Sequence, residues 1–185
     1  ARNMTAGEIV EEILLCAHLH PERRISHTVF MGMGEPLMNY DEVIKSARIM
    51  SNEIGMSPRH ITISTVGVAP GILAMSTESM PLTLALSLHA PNDELREQLI
   101  PTAKKWKLAE ILDACKTYYM RTKRNLTFEY LLIADVNDSY DNACELADLI
   151  NGLPGNVNLI PFNYVDTKQG FKRPTSERIK FFRQA

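Results

Sequence analysis

"HTVFMGMGEPLMNYDEVIKSARIM", residues 27–50, decides how the chain is read. A β-branched, apolar start (Thr28, Val29, Phe30) runs into Gly32-Met33-Gly34-Glu35-Pro36. Apolar residues then return at helical spacing as Val43, Ile44, Ala47 and Met50. A short buried strand, a turn and an amphipathic helix form the first part of a parallel strand–helix–strand unit. The turn itself is unusual. Glycine lets another group approach the backbone closely, and a carboxylate beside it can hold a cation. The plain alternative is a strand-to-helix turn with an incidental acid.

Working outward, the same alternation repeats. Thr5-Ala6-Gly7-Glu8 reads as a capping box, with Ile9, Ile13, Leu14 and Ala17 behind it at helical spacing. Asn39, with Glu42 three residues on, is the expected start of the second helix. Strands are expected at "HITISTVG" (60–67), "LTLALSLHA" (82–90), "LTFEYLLIA" (126–134) and "VNLIPFNYV" (157–165). Between and after them fall helical stretches: "APGILAMS", "DELREQLI" capped by Asn92 or Asp93, the run from Leu108 to Tyr118, "NACELADLI" and "SERIKFFRQ". There is no repeat, low-complexity tract or linker, so one α/β domain with a parallel sheet is the simplest division. A closed eight-stranded barrel needs about 250 residues. The 185 residues here therefore suit a doubly wound sheet or part of a barrel.

The bulk composition excludes more than it assigns. Hydrophobic residues make up 45% of the chain, enough for a real core, and no apolar run reaches the ~20 residues of a membrane span. The first residue is Ala1, and no secretory pattern follows it, which reads as an excised or processed piece. A net charge of -2 gives no general pull toward nucleic acid, but the basic residues cluster. Residues 101–130 hold seven of the 20 basic residues against three acids, and residues 166–185 hold six against two. Such runs are a solvated face or a nucleic-acid surface, the latter placing both on one RNA-facing side. Cys16, Cys115 and Cys144 are far apart and have no metal-ligand spacing. All three read as core cysteines, and an odd number of unclustered thiols fits a reducing cytoplasm.

In parallel α/β folds ligands bind at the carboxyl ends of the strands. The odd polar residues collect there: Gly32, Gly34 and Glu35; Ser64; Ser87-Leu88-His89; Glu129; and Pro161-Phe162-Asn163. Singly, Ser64 as a turn cap, His89 as a satisfied strand-end histidine and Asn163 as a loop tether are equally good readings. Together they make a polar rim around one carboxylate, suited to a ligand with an ammonium and several hydroxyls. No phosphate-cradling loop, nucleophile elbow or metal triad is present, and no pair is spaced as nucleophile and base.

"GMGEPLMNYDEV", "ITISTVGVAPGI", "LALSLHAPNDELREQLIP" and "VNLIPFNYV" closely resemble the radical S-adenosylmethionine (SAM) enzymes that methylate adenine in RNA, the RlmN/Cfr family. The resemblance runs in order over almost the whole chain. It implies a partial (β/α)6 TIM-like barrel with about five of six parallel strands. It assigns Gly34 and Glu35 to the methionine amino group of SAM, Ser64 and Ser87-Leu88-His89 to the ribose and carboxylate region, and Asn163 to the adenosyl moiety. It also implies a 4Fe–4S cluster, an electron donor, an RNA substrate (large-subunit rRNA, with tRNA as a second) and methylation at an adenine carbon, C2 ahead of C8. An amidine carbon is not nucleophilic, which is why a radical route is needed.

Departures from the family pattern are equally definite. The cluster motif C-x-x-x-C-x-x-C, which precedes the first helix in the family, does not occur here, nor does the methyl-accepting cysteine near the family's C-terminus. None of the three cysteines sits in a matching motif, so no catalytic or metal-binding residue is assigned in this chain. Residues 1–185 are expected to be the core domain of a larger enzyme, lacking the cluster loop and N-terminal RNA-binding domain upstream and the catalytic cysteine tail downstream. Alone it is expected to be an inactive, cytoplasmic monomer. Two other readings stand beside this one: a cluster-free module that binds SAM or RNA without chemistry, and an unrelated α/β enzyme of phosphorylated metabolites.

Overall fold

The computed structural model describes residues 2–164 and 170–184. Five strands, β1 (Thr28–Phe30), β2 (Ile61–Thr65), β3 (Thr83–Ser87), β4 (Leu126–Leu132) and β5 (Gly155–Pro161), form one sheet. Every pairing is parallel, and the spatial order is the sequence order, β1-β2-β3-β4-β5. A doubly wound sheet reverses direction partway, leaving a switch point between neighbours that are not consecutive. Here the chain never reverses. Right-handed crossovers that all step the same way stack their helices on one face, as in a barrel wall. The sheet is an open arc of a barrel, and the doubly wound alternative falls away.

Among the described residues seven α-helices accompany the strands: α1 (Ala6–Leu19), α2 (Tyr40–Asn52), α3 (Ala69–Met75), α4 (Asp93–Leu99), α5 (Leu108–Thr122), α6 (Tyr140–Ile150) and α7 (Ser176–Gln184). Strand side chains alternate between two environments. Ile61, Ile63, Leu84, Leu86, Phe128, Tyr130 and Leu132 are sealed under Ile44, Met50, Ile72, Ile111 and Tyr118 of the helices. On the opposite, concave face the pairings Ser64↔Ala85 and Ser87↔Glu129↔Asn158 lay out a polar row. Asn158 donates to the Glu129 carboxylate there at 2.7 Å.

Three local expectations are corrected. The first strand is only three residues long, because the Met31 amide turns back onto the Val29 carbonyl at 3.0 Å and ends the ladder. Asn39 precedes α2 but makes no side-chain cap: its amide donates to the Met4 carbonyl at 2.8 Å. Glu42 instead accepts the Ala6 amide at 2.6 Å, so residues read as a cap for α2 pin the start of α1. Cys16 is exposed rather than in the core, with Leu15 and Leu19 beside it also exposed. Only Ala6 and Val10 of α1 are buried, since α1 docks on α2 through its first turns. Cys115 is fully buried, as read, and Cys144 is half-buried. The capping box at Thr5 and Glu8 is present, and Asn92 rather than Asp93 caps α4.

Candidate functional site

The carboxyl ends of β1, β2 and β3 surround a cleft of about 530 Å³, within the range of small-molecule sites. It is lined by Gly32, Gly34, Glu35, Ser64 and Ser87, with Met31 and Met33 at its edge and α1 along one side. The turn after β1 opens toward it. Gly32 and Gly34 hold φ values of 143° and 109°, a region other residues avoid, and the space a Cβ would occupy at each is empty. The glycines are therefore required by backbone conformation and leave room for a ligand against the main chain. Met33, between them, is wholly exposed.

Glu35 is held rather than loose. One carboxylate oxygen accepts the Leu37 amide at 3.0 Å, starting a short 3₁₀ turn at Pro36, and the other accepts the Val66 amide at 2.8 Å. The side chain thus clamps the loop after β1 to the loop after β2. Each oxygen keeps a lone pair for a further donor. Ser64 and Ser87 stand on the concave face with hydroxyl oxygens 3.5 Å apart, close enough for one ligand group to bridge both. Beyond Ser64, Thr65 is buried and its hydroxyl accepts the Gly67 and Val68 amides at 3.0 and 3.3 Å. These bonds satisfy loop donors that would otherwise be stranded.

Leu88, His89 and Asn163 do not line this cleft. Leu88 is fully buried in the core. His89 adopts a left-handed backbone, φ 59°, fixed by its surroundings. Its Nδ1 accepts the Leu131 amide at 3.0 Å, so the neutral ring carries its proton on Nε2. Its carbonyl accepts from the Asn137 side chain at 2.8 Å. Burial, and then the Arg96 guanidinium, push the ring's pKa down from 6.5 to about 4. Asn163, past the end of β5, accepts from Arg173 at 2.7 Å at the far side of the arc from Glu35.

Among the buried polar residues that sequence did not single out, Asn137 and Arg96 bear on the strand ends. Asn137 accepts the Ile133 amide at 2.7 Å and donates to the His89 and Leu131 carbonyls. Its signal was faint, an asparagine in a loop. Arg96 on α4 is fully buried beneath the rim, though it sits inside the charged stretch "DELREQ".

The first basic run does not keep to one face. Lys104, Lys105 and Lys107 precede α5, where Lys105 covers the Trp106 ring and Lys107 pairs with Glu97. Arg121 and Arg124 follow some 20 Å along the helix axis. There they bond Ser76 at 3.1 Å and Thr83, the first residue of β3, at 2.7 Å, at the opposite rim. In the second run Arg173 belongs to the carboxyl rim, and Arg178 pairs with Asp135 and Asp138 after β4. Lys168 lies outside the described residues.

Among the described residues no helix is long and apolar enough to cross a membrane. Nor do three His, Cys, Asp or Glu side chains converge as metal ligands among them. Cys16, Cys115 and Cys144 are on three different helices, α1, α5 and α6, and burial pushes the Cys115 thiol up to about 12. These residues do not fit a 4Fe–4S cluster, which is held by several thiolates at one place.

A model of the radical SAM superfamily matches residues 1–147. A protein of Symbiobacterium thermophilum described as "Probable dual-specificity RNA methyltransferase RlmN" is 48% identical over 186 residues, covering 99% of this chain and 50% of that protein. The chain spans about half the length of the curated relatives it matches. The crystal structure of a radical SAM methyltransferase from Sphaerobacter thermophilus superposes with a TM-score of 0.96 at 44% identity, over 100% of this chain and 55% of that one. Streptococcus suis SuiB bound to S-adenosylmethionine gives 0.63 at 16% identity, over 99% of this chain and 40% of that one, a likeness of fold alone.

Proposed function

The chain belongs to the radical SAM superfamily, and from that premise we propose that it is the SAM-binding core of an enzyme that methylates C2 of an adenine in large-subunit rRNA, with tRNA as a second substrate. The observation that carries this reading is the convergence of Gly34, Glu35, Ser64 and Ser87 on one cleft, in a chain nearly half identical to a named RNA methyltransferase.

The residues present fit SAM. The Glu35 carboxylate, anchored by two backbone amides yet retaining free lone pairs, accepts the methionine ammonium in a charge-assisted contact. The empty space beside Gly34 lets that ammonium reach the backbone. Ser64 and Ser87 donate to the carboxylate and ribose oxygens. Leu88, His89 and Asn163 stand outside this cleft: Leu88 fixes the end of β3 in the core, His89 ties that end to β4 and the loop after it, and Asn163 holds Arg173 at the far end of the rim. SAM, when bound, supplies the transferable methyl group and the precursor of the radical that an electrophilic ring carbon requires. The cluster that reduces it, its electron donor, the RNA-binding domain and the methyl-accepting cysteine are assigned to the parent protein outside residues 1–185, and no step is derived through them. A cytoplasmic location accompanies an RNA-modifying enzyme with unpaired thiols.

The test is to express the full-length protein anaerobically, incubate it with SAM, a reductant and 23S rRNA or tRNA, and digest the RNA for mass spectrometry of its nucleosides. 2-Methyladenosine is the expected product. 8-Methyladenosine would move the reaction to the other amidine carbon, and SAM binding with no methylated adenosine would leave a binding module.

A further inference from the structure

Parallel strands diverge as they leave a barrel wall, and something must hold their ends at a fixed distance if a ligand is to bridge them. The β2–β3 ladder stops at Thr65↔Leu86, so the next residues, Val66 and Ser87, are outside it. Arg96 reaches this gap from α4. Its Nη2 donates to the Val66 carbonyl and to the Ser87 carbonyl at 3.4 Å, and its Nε donates to the Leu88 carbonyl at 3.3 Å. One planar guanidinium therefore gathers carbonyls from both strand ends, which the point charge of a lysine could not do in the same geometry.

Arg96 is fully buried, and its nearest acidic influence is Asp93 on the same helix; no carboxylate bonds to it among the described residues. Its Nη1 is buried without a hydrogen-bond partner among the described residues. A charge kept in so unfavourable a place for folding alone is poorly explained, because buried carbonyls can be satisfied at far lower desolvation cost. The geometry supplies another reason. Val66 offers its carbonyl to Arg96 and its amide to Glu35 at 2.8 Å. The guanidinium and the carboxylate hold the same residue from its two sides, and Ser87, whose carbonyl Arg96 also holds, carries the hydroxyl 3.5 Å from that of Ser64.

We infer that Arg96 is a positioning residue of the cofactor site: by tying Val66 to the end of β3 it presents the Val66 amide to Glu35 and sets the spacing of the Ser64 and Ser87 hydroxyls that receive SAM. Arg96 does not line the cleft, so it acts through these residues and not on the ligand. The inference rests on the reading of the cleft as a SAM site.

The test uses the full-length protein carrying Arg96→Lys or Arg96→Met, with SAM affinity measured by calorimetry at a temperature where each variant is folded by circular dichroism. Exchange of the Val66 amide is followed in parallel by mass spectrometry or NMR. For Arg96→Met the expected result is at least about tenfold weaker SAM binding together with faster Val66 exchange, tenfold corresponding to ~1.4 kcal/mol. Arg96→Lys, which keeps the charge without the fork, is expected to lose affinity by a smaller factor in the same direction. If Arg96→Met does not fold, Arg96→Lys decides. Lowered stability with wild-type SAM affinity would show a purely structural arginine and overturn the inference, as would wild-type Val66 exchange in the folded variants. Failure of the wild-type protein to bind SAM would instead overturn the cleft's assignment, and this inference with it.

Discussion

Replacing Glu35 by glutamine tests the clamp between the first two strand-end loops. From sequence, a near-isosteric amide at this position is expected to weaken SAM binding more than it perturbs folding. The structure changes the expected division. The carboxylate accepts two backbone amides from separate segments, Leu37 at 3.0 Å and Val66 at 2.8 Å, one on each oxygen. Glutamine keeps one acceptor and turns an NH₂ toward the other amide, so one bond is lost and two donors face each other. A hydrogen bond to a charged group contributes about 1.5–3 kcal/mol, and partial exposure of Glu35 favours the low end, giving ~2 kcal/mol for Glu35→Gln. Glu35→Ala loses both bonds and is expected to cost about twice that. For a domain of this size ~2 kcal/mol corresponds to a melting shift of roughly 4–8 °C. Urea denaturation gives the energy and calorimetry gives the SAM affinity of the same samples. Stability and affinity are expected to fall together. A Glu35→Gln protein with an unchanged unfolding midpoint and weakened SAM binding would refute the clamp and restore the simpler role of a free ligand carboxylate.

Three further outcomes are expected. His89 has a folded pKa of about 4 against an ordinary 6.5, so below pH 6.5 the unfolded chain binds a proton the folded chain does not. Stability should therefore fall as pH drops from ~6.5 to ~4, by up to about 3 kcal/mol, and His89→Asn, which tolerates the left-handed backbone, should remove that slope in urea titrations at pH 7, 6 and 5. Cys16 should react with a thiol reagent at pH 8 in the native protein while Cys115, its thiol pushed up to about 12, reacts only on unfolding; early labelling of Cys115 in a peptide map would contradict its burial. In the full-length protein Lys172→Ala with Arg173→Ala should weaken RNA binding and flatten its salt dependence by ~0.7 per lost phosphate contact on a single strand. Arg121→Ala with Arg124→Ala, at the other rim, should lower stability and leave that slope unchanged.

The strands and helices were legible because each obeys a local rule: period-two or continuous apolar runs for β2 to β4, capping residues and helical spacing for the helices. The glycines at 32 and 34 were legible for the same reason, since few other residues suit that turn. What periodicity could not supply was the winding direction, which depends on which strands pair and is absent from any single segment. Arg96 escaped because a charged residue in a charged run is normally solvated, and only the carbonyls of two distant strand ends make its burial tolerable. Leu88 shows the converse. Its neighbours Ser87 and His89 are polar, yet its own side chain is sealed in the core, so a motif read as three contacts divides into a cleft residue, a core residue and a loop support.

The strictly sequential strand order also governs how the domain is assembled. Each new strand needs only the strand made just before it: pairing Thr28 with Ile61, Thr62 with Thr83, Ala85 with Thr127 and Leu126 with Gly155 closes loops of 33, 21, 42 and 29 residues. Doubling a loop adds only about 0.6 kcal/mol of closure entropy, so no junction is much harder to make than another. A nascent chain can thus dock each unit as it leaves the ribosome, since each described strand after β1 pairs with the one made before it. At every stage the latest strand offers its unpaired edge to the next, and growth from the N-terminus sets the order in which the cleft's walls appear: Glu35 first, Val66 next, and Ser87 with Arg96 last.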